Sequence, residues 1–121
     1  MANTKRHTQL TAGKWHAYDR SAQILMIANE LNRARNWLSK GRIEKTLPAY
    51  ERALELCDMT LEDKKWRGHS RELLRFRECL AGFYAGKEES AQLLMAIYQG
   101  LLSLSVDSYN ATREMNDDPG K

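Results

Sequence analysis

Side chains able to move a proton, attack an electrophile or hold a metal are sparse in this sequence, and none is spaced to work with another. Its three histidines, His7, His16 and His69, lie in a tail, at its edge and at a helix start. The Glu-x-x-His pair that a di-iron carboxylate bundle needs on two helices does not occur. No glycine-rich loop runs into Lys-Ser or Lys-Thr, there is no Gly-x-Ser-x-Gly elbow, and the arginine-then-histidine pattern of small helical ribonucleases is missing. Cys57 and Cys79 fall at apolar helix positions with no zinc spacing, and read as buried free thiols. The expectation is a chain without enzymatic activity, cofactor or metal.

Charge offers more. Lys64, Lys65, Arg67, Arg71, Arg75 and Arg77 crowd one segment whose only acid is Glu72, and Arg67, Arg71 and Arg75 form a stripe at i, i+4 and i+8. Trp66 and His69 stand beside it, an arrangement able to bind phosphates. Glu44, Glu51, Glu55, Asp58, Glu62 and Asp63 supply an alternative, because they can face the stripe from a neighbouring helix. A solvated or salt-bridged face, a nucleic-acid site and a docking surface for an acidic protein are the three readings of this cluster.

The elements that must carry these residues are helices, and they are organised around Gly41 to Asp63. There Ile43, Leu47, Tyr50, Leu54, Cys57 and Leu61 step by three and four, the seam of an amphipathic helix. Residues 1–14 are polar and aperiodic, and read as a mobile tail. A first helix from about Tyr18 to Lys40 carries Ile24, Ile27, Leu31, Ala34 and Leu38 on one face and stops at Gly41. The second begins between Glu44 and Thr46, with Thr46 as cap and Pro48 in its first turn, and ends near Leu61. The third runs from His69 or Ser70 to Ala85, with Leu73, Phe76, Leu80 and Phe83 inward and Gly86 as its stop. Gly82 within it is costly unless a neighbouring helix comes close there. The fourth, capped by Ser90, reaches about Thr112 through Leu94, Ile97, Leu101 and Leu104. Residues 116–121 are a polar tail.

Pairing Leu47, Tyr50, Ala53, Leu54 and Leu56 with Met95, Tyr98, Leu101, Leu102 and Leu104 at one constant offset gives a weak internal repeat of helix pairs. With short connections throughout, residues 15–115 are expected to form an antiparallel up-down-up-down four-helix bundle, an all-α fold. The fourth helix has an apolar surplus in Leu93, Met95, Tyr98, Leu102 and Val106. Either the segment with Trp15 and Tyr18 folds back over it, or a partner helix or a second copy does.

A length of 121 residues supports one domain with a real core, and 42% hydrophobic against 29% charged residues excludes a disordered chain. No apolar run nears the roughly 20 residues of a membrane span, and no secretory signal opens the sequence, so the expected location is cytoplasmic. A net charge of +3 permits an acidic partner without requiring one.

Two resemblances follow from these residues. Ala28, Trp37, Gly41, Ala49, Tyr50, Ala53, Leu54 and Leu56, above all in AYERALEL, look like one tetratricopeptide unit, although no repeat near 34 residues accompanies it. The chain also resembles the flagellar secretion chaperone FliS family, over roughly Tyr18 to Tyr109. Tyr18 stands before the Leu25-Met26 pair, Gly41-x-x-Glu44-Lys45 leads into the second helix, a loop with Gly68 precedes the third, and the last helix ends in a polar tail. Ala22 and Gln23 replace the Ser-Pro of that family. The resemblance implies an export chaperone or assembly factor of the flagellum that holds a client's disordered apolar segment as helices on its surface. Tyr18, Ile24, Ile27, Met95, Tyr98 and Leu102 are the expected partner contacts. Charged replacements at Ile24 and Ile27 are then expected to abolish binding while leaving the fold intact. A nucleic-acid-binding bundle using Arg67, Arg71 and Arg75, and a structural homodimer, are the alternatives.

Overall fold

The computed structural model describes the backbone of residues 11–117 and the side chains of residues 11–104. The first ten and last four residues, with the expectations placed on them, lie outside the described residues, as do the side chains of Val106 and Tyr109. The fold is all-α. Among the described residues five helices follow one another: α1 (Ala12–His16), α2 (Arg20–Ser39), α3 (Leu47–Leu61), α4 (Ser70–Tyr84) and α5 (Ala91–Asp117). Short 3-10 turns at Ile43–Lys45 and Lys64–His69 lead into α3 and α4. Among the described residues no helix is long and apolar enough to cross a membrane.

Local chemistry sets the boundaries. Asp19 caps α2 by accepting from the Ala22 N–H at 2.8 Å, and Ser90 caps α5 by accepting from the Leu93 N–H at 3.1 Å. Gly41 and Gly86, at φ 72 and 79, take the left-handed conformation that ends α2 and α4. At the first, Arg42 N–H reaches Trp37 C=O at 2.9 Å and Gly41 N–H reaches Leu38 C=O at 3.0 Å, so two carbonyls of the last turn are satisfied. Thr46 does not cap α3 as expected. Its own backbone is helical, and its hydroxyl donates back to Ile43 C=O at 2.6 Å. Gly82 admits no neighbouring helix, since a Cβ there would meet only the Glu88 side chain, at 4.0 Å.

Helix α2 is the common partner: α5 packs chiefly on it, and α3 packs on it as well. Helix α3 then receives α4 and α1, whereas α4 and α5 barely meet. The second hairpin of the internal repeat is therefore the loosely packed one, because the fourth helix packs chiefly on α2 and less on the helix before it. One core joins all five helices, with Trp15, Ile24, Ile27, Leu31, Tyr50, Leu73, Phe83, Leu94 and Leu101 buried in it.

The seam of α3 is rotated from the expected one. Ile43 and Leu47 are exposed and Leu54 and Leu61 only partly buried, while Ala49, Ala53, Leu56 and Thr60 join Tyr50 and Cys57 inside. Two alanines on the inner face let α3 lie close to its neighbours, and Thr60 is admitted because its hydroxyl is fully used. That hydroxyl accepts from Trp15 Nε1 at 2.9 Å and donates to Leu56 C=O at 2.7 Å.

Those bonds belong to a buried polar clasp at one end of the molecule. Gln23, fully buried on α2, donates from Nε2 to Trp15 C=O and to Asp63 Oδ2, both at 2.9 Å, and accepts from Trp66 Nε1 at 2.6 Å. Asp63 also receives Lys65 Nζ at 2.6 Å, and Lys65 reaches on to His16 C=O at 2.9 Å. Arg20 donates to Lys65 C=O and lies 5.5 Å from the centre of the Trp66 ring. The clasp thus ties α1, the start of α2 and the turn before α4 to one another. It also places the N-terminal segment: α1 docks on α3 through Trp15 and does not serve as the cover expected for the fourth helix.

The clasp carries a pH dependence. Burial works against ionising Asp63, but hydrogen bonds from Lys65 and Gln23 together outweigh it and hold the carboxyl below its ordinary value of 3.8. A carboxyl that ionises more readily when folded adds stability above its unfolded pKa and loses it as pH falls through the folded one. Urea unfolding of the chain should therefore show a decline in stability below about pH 4, and Asp63→Asn should flatten that decline. An unchanged slope in the variant would mean that Asp63 contributes nothing to it.

Candidate partner-binding groove

Because α5 leans on α2 and α4 leans on α3, a groove opens between α4 and α5. Its volume is about 390 Å³, and its lining includes Phe76, Cys79, Ile97, Leu101 and Leu104. Phe76, Leu101 and Leu104 form the buried floor, while Cys79 and Ile97 are half-buried on the walls. His69, Glu72, Arg75 and Ser103 make the polar rim. The geometry follows from the two sequences: α4 spends Leu73, Leu80 and Phe83 inward and turns Cys79 and Phe76 sideways, and α5 does the same with Ile97 beside Leu94 and Leu101.

The basic stripe meets this rim at Arg75. Arg67, Arg71 and Arg75 are exposed and make no ion pair among the described residues. Of the same cluster, Arg77 pairs with Asp58 across α3 and α4, and Lys65 pairs with Asp63 in its own turn. The salt-bridged reading thus describes Arg77 and Lys65 and leaves the stripe itself uncompensated. Trp66, which stood beside the stripe in the nucleic-acid reading, is buried with its N–H given to Gln23, so it offers no stacking face.

The expected partner contacts divide. Ile24 and Ile27 are fully buried in the core, which corrects their assignment to the surface: the face of α2 that carries them is the one on which its neighbours pack. Tyr18 is exposed, its ring 6.0 Å from that of Trp15 in an edge-on contact, and it sits at the clasp end of the chain. Met95, Tyr98 and Leu102 are half-buried on α5. Two of them are met by α2 itself: Arg35 donates to Met95 Sδ at 3.5 Å and lies 5.3 Å from the centre of the Tyr98 ring. None of these six lines the groove. Its own lining from α5, Ile97, Leu101 and Leu104, was read from the sequence as core seam, and only the splay of α4 from α5 exposes part of it.

Neither thiol is in a disulfide, and the two differ in environment. Burial pushes the Cys57 thiol up to about 12, with the Asp58 charge adding and Arg77 opposing, and its S–H points to Leu73 C=O at 3.8 Å. Cys79 faces the groove. Alkylation of the native chain at pH 8 should therefore modify Cys79 at least tenfold faster than Cys57, which becomes reactive on unfolding. Comparable rates would contradict the burial of Cys57.

Among the described residues no three His, Cys, Asp or Glu side chains converge as metal ligands would. No protein-family model, curated protein or solved structure matches this chain.

Proposed function

We propose that the chain is a non-enzymatic protein-binding domain that receives an amphipathic helix of a partner in the groove between α4 and α5. The observation that carries this reading is the pairing of an apolar groove with Arg75 on its rim and Arg71 one helical turn before it, neither of them in an ion pair among the described residues. A helix laid in the groove would cover Phe76, Ile97 and Leu101 with its apolar face, and acidic residues on its flank would meet Arg71 and Arg75. In its finest form the fold is an antiparallel up-down-up-down four-helix bundle left open along one edge, a form supported by the short connections between helices. A FliS-like export chaperone or assembly factor in the cytoplasm is the most specific role compatible with such a groove. The groove replaces Ile24 and Ile27 as the client contact in this reading.

The test uses amphipathic helical peptides that share one apolar face and differ only in flanking Glu or Lys. The Glu peptide is expected to bind and to slow alkylation of Cys79, and Arg71→Glu with Arg75→Glu is expected to invert the preference. Protection by neither peptide, or a preference indifferent to the arginines, defeats the reading. Light-scattering mass separates the homodimer: a dimer that Ile97→Asp converts to monomer would assign the groove to a second copy.

A further inference from the structure

We propose that the face built on Trp37 is a nucleotide-stacking site that takes single-stranded nucleic acid, at the opposite end of α2 from the clasp. Of the three tryptophans, Trp15 and Trp66 are sealed in the core with their N–H groups bonded to Thr60 and Gln23. Trp37 alone of them is partly exposed. Three cations surround its ring: Lys45 Nζ at 5.1 Å from the centre, Lys40 Nζ at 5.3 Å and the Arg42 guanidinium carbon at 5.9 Å. Arg42 is paired with Glu44 at 3.0 Å, whereas Lys40 and Lys45 make no ion pair within 4 Å among the described residues. An aromatic face flanked by free ammonium groups is the combination that binds unpaired bases and their phosphates together.

The cleft beside this ring extends the argument. It lies between α2 and the start of α3, has a volume of about 370 Å³, and is lined by Trp37, Glu30, Arg33, Lys45, Pro48 and Arg52 among others. Glu30 is buried at 7% exposure, and only one of its oxygens is satisfied. Oε2 accepts from Arg52 at 3.2 Å, while Oε1 has no hydrogen bond and stands 3.6 Å from Arg33. A buried acceptor left unpaired is costly, and a ligand N–H would remove that cost. Arg33 is 59% exposed in its side chain, so it can turn outward and uncover Oε1. A base stacked on Trp37 in place of the lysine ammonium groups would then present the N–H donors of its pairing edge toward Glu30, with its phosphates held by Lys40, Lys45 and the displaced Arg33. Three cations around one ring exceed what one phosphate needs, which favours a strand over a free nucleotide. A duplex keeps its bases stacked on one another and offers none to Trp37.

The test is fluorescence anisotropy of a labelled ten-nucleotide single-stranded RNA of mixed sequence, titrated with the full chain at low and moderate salt. Binding is expected at the lower salt, at least tenfold weaker for the duplex of the same sequence and for a mononucleotide competitor. Trp37→Ala should weaken it tenfold or more, and Trp37→Phe, which keeps a ring in the same packing, should recover part of the loss. Replacing Lys40 and Lys45 by glutamine, both at exposed positions, should lower the salt slope by about 1.4, two phosphate contacts' worth for a single strand. No binding at ~100 µM chain in low salt overturns the proposal. So does a Trp37→Ala variant that binds as the parent does, a mononucleotide that binds as tightly as the strand, or a loss of binding caused by Arg67→Gln, Arg71→Gln and Arg75→Gln instead. The peptide-protection experiment on Cys79 is independent of all these outcomes.

Discussion

Gln23→Leu is expected to lower the unfolding free energy by about 2 to 4 kcal/mol, a large share of the roughly 5 to 15 kcal/mol typical of a domain. Leucine is similar in size, so the effect comes from what the amide leaves behind. The Trp66 N–H and the Trp15 carbonyl lose their bonds to Gln23, and Asp63 loses one of its donors, all in a place where water does not reach. The Trp66 N–H is orphaned outright, at about 1 to 3 kcal/mol, while the Trp15 carbonyl keeps the Tyr18 N–H at 3.2 Å and Asp63 keeps Lys65, so those two losses add about 1 kcal/mol each at most and the more apolar side chain offsets part of the sum. Urea unfolding measures the loss. Trp66→Phe, which removes one donor and leaves only Gln23 Oε1 unpaired, should cost less, and the double variant should fall short of the sum of the two by about 1 kcal/mol or more. A loss for Gln23→Leu below about 1 kcal/mol would mean that the amide is readily replaced and the clasp is not what ties α1 to the turn before α4.

Gln23 also marks the limit of what hydropathy can reveal. Helix ends were legible because they depend on single local residues: Gly41, Gly86, Pro48 and Ser90 act where the pattern puts them. Most inward faces of α2, α4 and α5 were legible too, since Ile24, Leu31, Leu73, Phe83, Leu94 and Leu101 are large and apolar. The face of α3 was misread by one position because its inner surface is made of Ala49, Ala53 and Thr60, small or polar residues that a search for aliphatic side chains passes over. The first three residues of α1 were assigned to the tail because five residues are too few to show a period; Thr11 as its cap, together with Trp15 as its buried anchor, is the signal that could have found the helix. The groove escaped for another reason. Its lining is ordinary core sequence, and its opening depends on α5 preferring α2 to α4, a choice between equally apolar neighbours that no periodicity encodes.

Placing Ile27 in the core and Ile97 in the groove predicts opposite fates for the same substitution. Ile27→Asp puts a carboxylate where neither water nor any cation meets it, and it also removes a packed aliphatic side chain worth about 2 to 5 kcal/mol by itself. With the cost of burying the charge added, the total reaches the whole stability of a typical domain, so this variant should lack cooperative unfolding and native near-ultraviolet circular dichroism at neutral pH. Ile97→Asp places the same group on a half-buried wall open to solvent, where the carboxylate stays hydrated and the loss should be about 1 to 2 kcal/mol. That variant should keep the parent's circular dichroism and lose affinity for the acidic amphipathic peptide, because an added negative charge inside the groove opposes both its apolar face and its flank. If Ile27→Asp folds with a Tm within a few degrees of the parent, the packing of α2 in the core is wrong, and a surface role for that face returns. If Ile97→Asp unfolds, α4 and α5 are closed on one another in solution, and a helix from a partner has nowhere to lie.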